Sequence, residues 1–182
     1  MATAYVALGL LAVTLAIGPI NLLRGRRNPL SIDLRRDIGI WCAVVSLAHV
    51  VVGLQVHMGN MLLYFFRPAD TYQRWTPRLD FFGLANYAGL LGTLIVLLLL
   101  CLSNDVAVRS LGRWRWKFWQ RSSYMLAVVV VLHAIAYQVL ERREAPYLIL
   151  FGVIVAAAAT VQVLGFRWHR KQDAQVTSQR RA

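Results

Sequence analysis

The chain contains four histidines, His49, His57, His133 and His169, and two of them stand where an ionisable ring is least expected. His49 lies twelve residues after Asp37, and His133 lies twelve residues after Arg121. Each of those charges is the last before a long run of uncharged residues. If both runs are helices that enter a bilayer from the same side, both imidazoles sit roughly 18 Å from that boundary. A hydrocarbon core is about 30 Å thick, so the rings are level and slightly beyond the midplane. An ionisable group at that depth is a functional candidate by default. Two neutral imidazoles at one height on parallel helices can ligate one iron from opposite faces of a heme. Filling both axial positions favours electron transfer over oxygen binding. Two other chemistries use the same residues: interhelical hydrogen bonding or a proton relay, and ligation of a different metal. A metal relay ordinarily recruits carboxylates, and these uncharged runs hold none.

The remaining candidates are weaker. His57 follows His49 by eight residues, roughly 12 Å further along the helix and close to the same face. It is a candidate for bonding a heme propionate or facing a partner, and simple interfacial placement explains it equally well. His169 lies in a basic tail and is most simply solvated. Met58 and Met61 read as packing residues. Ser46, one turn before His49, and Gln138, just beyond His133, are candidate partners of the rings. Cys42 and Cys101 sit in uncharged runs without CxxC spacing, which indicates neither disulfide nor zinc. No CxxCH occurs, so a heme here is expected to be noncovalently held, as heme b is.

The elements that must position these rings follow from where the charge is. All 20 Lys and Arg and all 8 Asp and Glu fall within 24–37, 67–80, 103–121, 141–146 and 167–182. The intervals 1–23, 38–66, 81–102, 122–140 and 147–166 carry no charge, and about 20 apolar residues suffice to cross a bilayer core. A soluble core helix keeps a charged face, and none of these does. The expected fold is an all-α integral membrane bundle of about five helices, near 2–23, 38–62, 81–102, 122–140 and 147–166. Residues 1–166 form one bundle, and 167–182 a basic, flexible tail. The first run has no basic leader, and Arg24, Arg26 and Arg27 follow it, so it is expected to be a retained helix rather than a signal peptide.

Topology follows from the basic residues. Lys and Arg number five in 24–37, three in 67–80, five in 103–121, two in 141–146 and five in the tail. The positive-inside rule then places 24–37, 103–121 and the C-terminus in the cytoplasm, and the N-terminus outside. The net charge of +12 is read as topology plus contact with anionic lipid, not as a nucleic-acid surface, because no soluble module is left to carry one. Trp75, Trp114, Trp116, Trp119 and Trp168 fall in the charged stretches and Trp41 just inside the second helix, as in a membrane aromatic belt. The run of Trp114, Trp116, Phe118 and Trp119, interleaved with Arg113, Arg115, Lys117 and Arg121, is expected along the cytoplasmic headgroups.

Arg35-Arg36-Asp37-Ile38-Gly39-Ile40-Trp41, followed by His49, resembles the start of a heme-bearing helix in the ferric reductase-like transmembrane domain. Ser103-Asn104-Asp105, Leu111-Gly112, Trp116, Tyr124 and His133 are similar to the next block of that family, and the likeness is greatest to its MsrQ (YedZ) branch. The resemblance covers roughly 20–166. It implies heme b and membrane electron transfer, in the MsrQ branch toward a periplasmic reductase and in other branches from a cytoplasmic flavin domain. Many members carry a further histidine about thirteen residues before the later ligand. Gln120 stands there in this chain, and Arg35 near the matching place before His49. One heme is therefore expected, not two. The chain resembles the family without the first helix of six-helix members and without a flavin domain, so the donor is expected to be a separate flavin reductase or a quinol. The expectation is a multi-pass redox subunit of a bacterial-type inner membrane, with His49 and His133 as iron ligands and no catalytic residue of its own. The alternatives are a stand-alone ferric or quinone reductase with the same heme, and a heme-free structural membrane protein.

Overall fold

The computed structural model describes residues 2–25, 30–56, 59–68 and 74–179. Six helices account for most of them: α1 (Ala2–Leu23), α2 (Leu30–Val56), α3 (Phe81–Cys101), α4 (Asp105–Gln120), α5 (Ser122–Leu140) and α6 (Ala145–Gln179). Between α2 and α3 lie a 3₁₀ turn, Met61–Tyr64, and a short hairpin. Its strands β1 (Phe66–Pro68) and β2 (Trp75–Pro77) pair antiparallel, with Phe66 opposite Pro77. Five helices are long and apolar enough to cross a membrane: α1, α2 from Asp33, α3, α5 with the segment leading into it, and α6.

The helix ends have local causes. Asn60 caps the 3₁₀ turn by accepting from the Leu62 N–H, and α2, expected to reach 62, runs as Leu30–Val56. Asp80 caps α3 by accepting from the Gly83 N–H at 2.8 Å. Asn104 caps α4 in the same way through the Ala107 N–H. Within α4 the left-handed backbone of Gly112 (φ +72°) breaks the helix, and beyond it Trp116 donates its indole N–H to the Leu102 carbonyl. α4 has no buried residue and leaves Trp114, Phe118 and Trp119 exposed, which suits a headgroup-level segment. The expected flexible tail is, as far as Gln179, a continuation of α6. Residues 167–179 contain neither proline nor glycine to stop it.

Two layers make the bundle. α1 packs along α2 on one side and α6 on the other, α3 pairs with α5, and α2 meets α3 along a smaller edge. α2 and α5, which carry the two deep histidines, do not form a packed pair. One apolar cluster joins four helices: Leu11 and Leu15 of α1, Cys42 and Ala43 of α2, Ile95 and Val96 of α3, Leu126 and Val129 of α5. The cluster extends from the middle of the bundle toward its basic end, where α1 finishes and α2 begins. The histidines stand on the other side of it, toward the hairpin. Residues such as Leu94, Val128 and Val153 are more than half exposed and form the face that lipid would cover.

Candidate cofactor site

His49 and His133 each fall seven residues before the hairpin-side end of their helix, Val56 and Leu140 respectively. Counted from those ends they are about 10 Å deep. The two helices run in the same direction, so the two residues stand at matching positions along them.

His133 is held by α3. Its Nδ1 lies 2.8 Å from the Ala85 carbonyl oxygen. A carbonyl can only accept, so Nδ1 carries the proton and Nε2 keeps its lone pair. The ring reaches the α3 backbone because residue 89 is glycine. A Cβ there would stand 2.8 Å from Cε1 and 3.0 Å from Nδ1 of His133. Tyr137, one turn on, lies against the ring with centroids 4.9 Å apart. His49 is held by α1, where Thr3 Oγ1 sits 3.3 Å from its Nδ1. In both rings Nδ1 is engaged, and among the described residues no hydrogen bond reaches Nε2. A ring fixed through one nitrogen with the other bare is the usual preparation for metal ligation.

A polar bridge then joins the two histidine-bearing helices one turn beyond each ring. Tyr137 O–H donates to Asn86 Oδ1 at 2.7 Å. Asn86 Nδ2 donates to the Phe82 carbonyl at 2.9 Å and reaches the Tyr64 carbonyl at 3.4 Å. Tyr64, only 2% exposed, donates its own O–H to the Gly53 carbonyl of α2 at 2.9 Å. Gly53 is four residues after His49, as Tyr137 is four after His133. The bridge therefore connects the same position on both helices and holds their rings at one height. The segments that flank the hairpin are tied to the same region. Tyr87 donates to the Phe65 carbonyl at 2.6 Å, and Arg78 bonds both Asp80 and the Leu63 carbonyl while its guanidinium lies 4.6 Å from the Phe82 ring centre. The Gly83 N–H, and after it Arg78, hold the Asp80 carboxyl below the usual carboxylate range.

The secondary candidates fare differently. Among the described residues the hydrogen bond found at His49 Nδ1 comes from Thr3 rather than Ser46. Gln138 does not touch His133: its Nε2 donates to the Tyr5 hydroxyl at 3.0 Å, and its buried Oε1 has no partner. Met61 is exposed, and His169 lies exposed on the far part of α6. His57 and Met58 lie outside the described residues. Gln120 closes α4 and Arg35 lies near Gly18 of α1, both at the basic end. Cys42 is buried, Cys101 exposed, and neither is bridged. Among the described residues no three His, Cys, Asp or Glu side chains converge. Thr3, Ala85, Gly89, Asn86 and Tyr137 escape a reading of histidine spacing. Gly89 had a signal: nine residues from Asp80 on an antiparallel helix puts it near the height of His133.

No family model matches the chain, and no solved structure does. Among named proteins, the protein-methionine-sulfoxide reductase heme-binding subunit MsrQ of Cronobacter sakazakii is 30% identical over 168 residues, covering 91% of this chain and 76% of that protein. The MsrQ subunits of Salmonella paratyphi B and Salmonella newport are each 27% identical over 171 residues, covering 92% of this chain and 77% of theirs. A likeness spread over nearly the whole chain takes in both histidine-bearing helices and the hairpin between them, and this five-span chain belongs to the MsrQ family.

Proposed function

We propose that the protein is a membrane electron-transfer subunit that holds one heme b between His49 and His133. The observation that carries this reading is the matched pair of rings. Both are level, both are fixed through Nδ1, and the helices that bear them are tied at equivalent positions while not packing on each other. An interhelical hydrogen bonder needs no such symmetry. The relatives' name, heme-binding subunit, agrees with this donor set. The heme would supply a reversible one-electron couple. The chain's own part would be to hold each ring through Nδ1 and leave Nε2 for the iron.

By the positive-inside rule the basic end faces the cytoplasm and the hairpin faces outside, with the N-terminus. The rings lie nearer the hairpin, so electrons would leave toward an acceptor on the outer side of a bacterial inner membrane. The relatives' name points to a protein-methionine-sulfoxide reductase as the partner, and on this topology it would act as a periplasmic acceptor. The donor would be a separate flavin reductase or a quinol, and flavin would enter only through such a partner. Gln120 and Arg35, neither an imidazole, support one heme rather than two. His57 is assigned to the surroundings of the heme at most, not to the iron.

The visible spectrum of the purified full chain, produced with heme available, tests this. An intense Soret band with sharp reduced α and β bands is expected, at one heme per chain. His49→Ala and His133→Ala should each lose heme or leave a weakly bound high-spin form. His57→Ala should keep the low-spin spectrum. A colourless, folded wild-type preparation would reject the heme. Loss of heme in His57→Ala but not in His49→Ala would show that the wrong ring was chosen.

A further inference from the structure

α1 and α6 cross by a specific device near their basic ends. Pro19 has no N–H, so the Leu15 carbonyl one turn earlier loses its helical partner. Gln162 of α6 supplies the missing donor, its Nε2 lying 2.8 Å from that oxygen. Three residues on, Gly165 lets α6 lie directly on Pro19, since a Cβ at 165 would stand 2.6 Å from Pro19 Cβ. Beyond this crossing the helices part company. α1 ends at Leu23, two residues before Gly25 with its φ of +61°, while α6 runs on to Gln179. The wedge between them is an open groove of about 500 Å³, lined by Leu23, Leu164, Arg167, Trp168, Arg170 and Lys171.

We infer that this groove binds an anionic glycerophospholipid, with the lipid phosphate against Arg167, Arg170 and Lys171 and an acyl chain over Leu23 and Leu164. The groove lies at phosphate depth, because Arg167 is the first charge after the uncharged run 147–166. Among the described residues three cations and no carboxylate line it. Its other wall is leucine, which a water-soluble phosphate would leave uncovered and an acyl chain would fill. Trp168 supplies an indole at the height where such rings favour the headgroup boundary. α6 is the least buried of the five spans, packing along α1 alone, so lipid has open access to the wedge. Basic pockets between transmembrane helices are recurrent sites for anionic headgroups.

Native mass spectrometry of the full chain, exchanged into an equimolar mixture of phosphatidylglycerol and phosphatidylcholine, tests the site without reference to heme. One retained phosphatidylglycerol per chain is expected. In a variant carrying R167Q, R170Q and K171Q its apparent affinity should fall on the order of 100-fold, at about tenfold or less per cation. A matched variant of α4 carrying R113Q, R115Q and K117Q should retain it. Equal retention of the two lipids, or equal loss in both variants, would overturn the inference in favour of diffuse surface charge. Displacement of the lipid by millimolar inorganic phosphate would overturn it in favour of a soluble-anion site. Should the groove variant misfold, spin-labelled lipids added to the wild-type chain decide the matter. Phosphatidylglycerol should quench Trp168 fluorescence more than phosphatidylcholine does, with a Trp168→Phe variant as the reference; equal quenching would reject the site.

Discussion

The two ends of this bundle are held together by different physics. From mid-bundle toward the basic end the helices meet through side-chain packing: Leu11, Leu15, Cys42, Ala43, Ile95, Val96, Leu126 and Val129 share one apolar cluster. At the hairpin end the contacts that fix the histidines run largely to backbone carbonyls, at Ala85, Phe82, Tyr64 and Gly53. In lipid there is little hydrophobic drive between helices, so close packing secures the first end. Hydrogen bonds with defined directions secure the second. Packing tolerates substitution among side chains of similar volume, whereas a ring aimed through Nδ1 at a carbonyl has one orientation. The difference teaches that stability and site geometry are separable in this fold, and each end can be perturbed with the other as control.

The largest effect on stability is expected at the packed end. Leu126→Ala opens a cavity in the cluster and should cost about 2–5 kcal/mol. Thermal unfolding should show the loss, while the low-spin heme spectrum of the folded fraction stays unchanged. A spectrum that changed with Leu126 would break the separation.

Gly89→Val is the reciprocal experiment. Its added carbons fall where His133 now lies, so the ring must leave the α3 backbone. Overpacking of this kind costs about 1–3 kcal/mol. The decisive readout is spectroscopic: the low-spin bands should weaken far more than stability alone would account for. Unaltered bands would mean that His133 does not need its present seat.

Tyr64→Phe removes one donor from the bridge between α2 and α5. A single such hydrogen bond is worth about 1 kcal/mol, so a small fall in the unfolding midpoint is expected, with slight broadening of the reduced α band. The double variant with Tyr137→Phe should be less than additive, because the two hydroxyls are the end links of one chain of bonds that runs from Gly53 through Tyr64 and Asn86 to Tyr137. Additive effects would show that the bridge is not one unit.

The smallest effects belong to the surface. Arg36 and Asp105 join α2 to α4 at 3.0 Å, yet their side chains are 45% and 73% exposed, so Arg36→Gln should cost no more than about 0.5 kcal/mol. Asp80 sets the pH dependence of the α3 cap. Its folded pKa is depressed, so its contribution is complete above the ordinary carboxylate value of about 3.9 and is lost only as pH falls through the lower folded value. Asp80→Asn should therefore lower the unfolding midpoint by a roughly constant amount from about pH 5 to about pH 8, and the variant should converge on wild type only in more acid solution.

The contribution of each level can be followed in particular residues. Uncharged runs of 19 to 29 residues are determined by composition, because a bilayer admits little else, and the five spans are therefore legible from charge alone. The depth of His49 and His133 follows equally directly, since rise per residue is constant along a helix. What surrounds the rings does not. Ala85 acts through its carbonyl and Gly89 through an absent side chain, and residue identity advertises neither. Gln138, close to His133 along the chain, turns instead to Tyr5 of α1, because position around a helix axis and the choice of neighbouring helix are settled by packing. Height along the membrane normal is a one-dimensional quantity that a sequence records; orientation about that normal is fixed only when the helices meet.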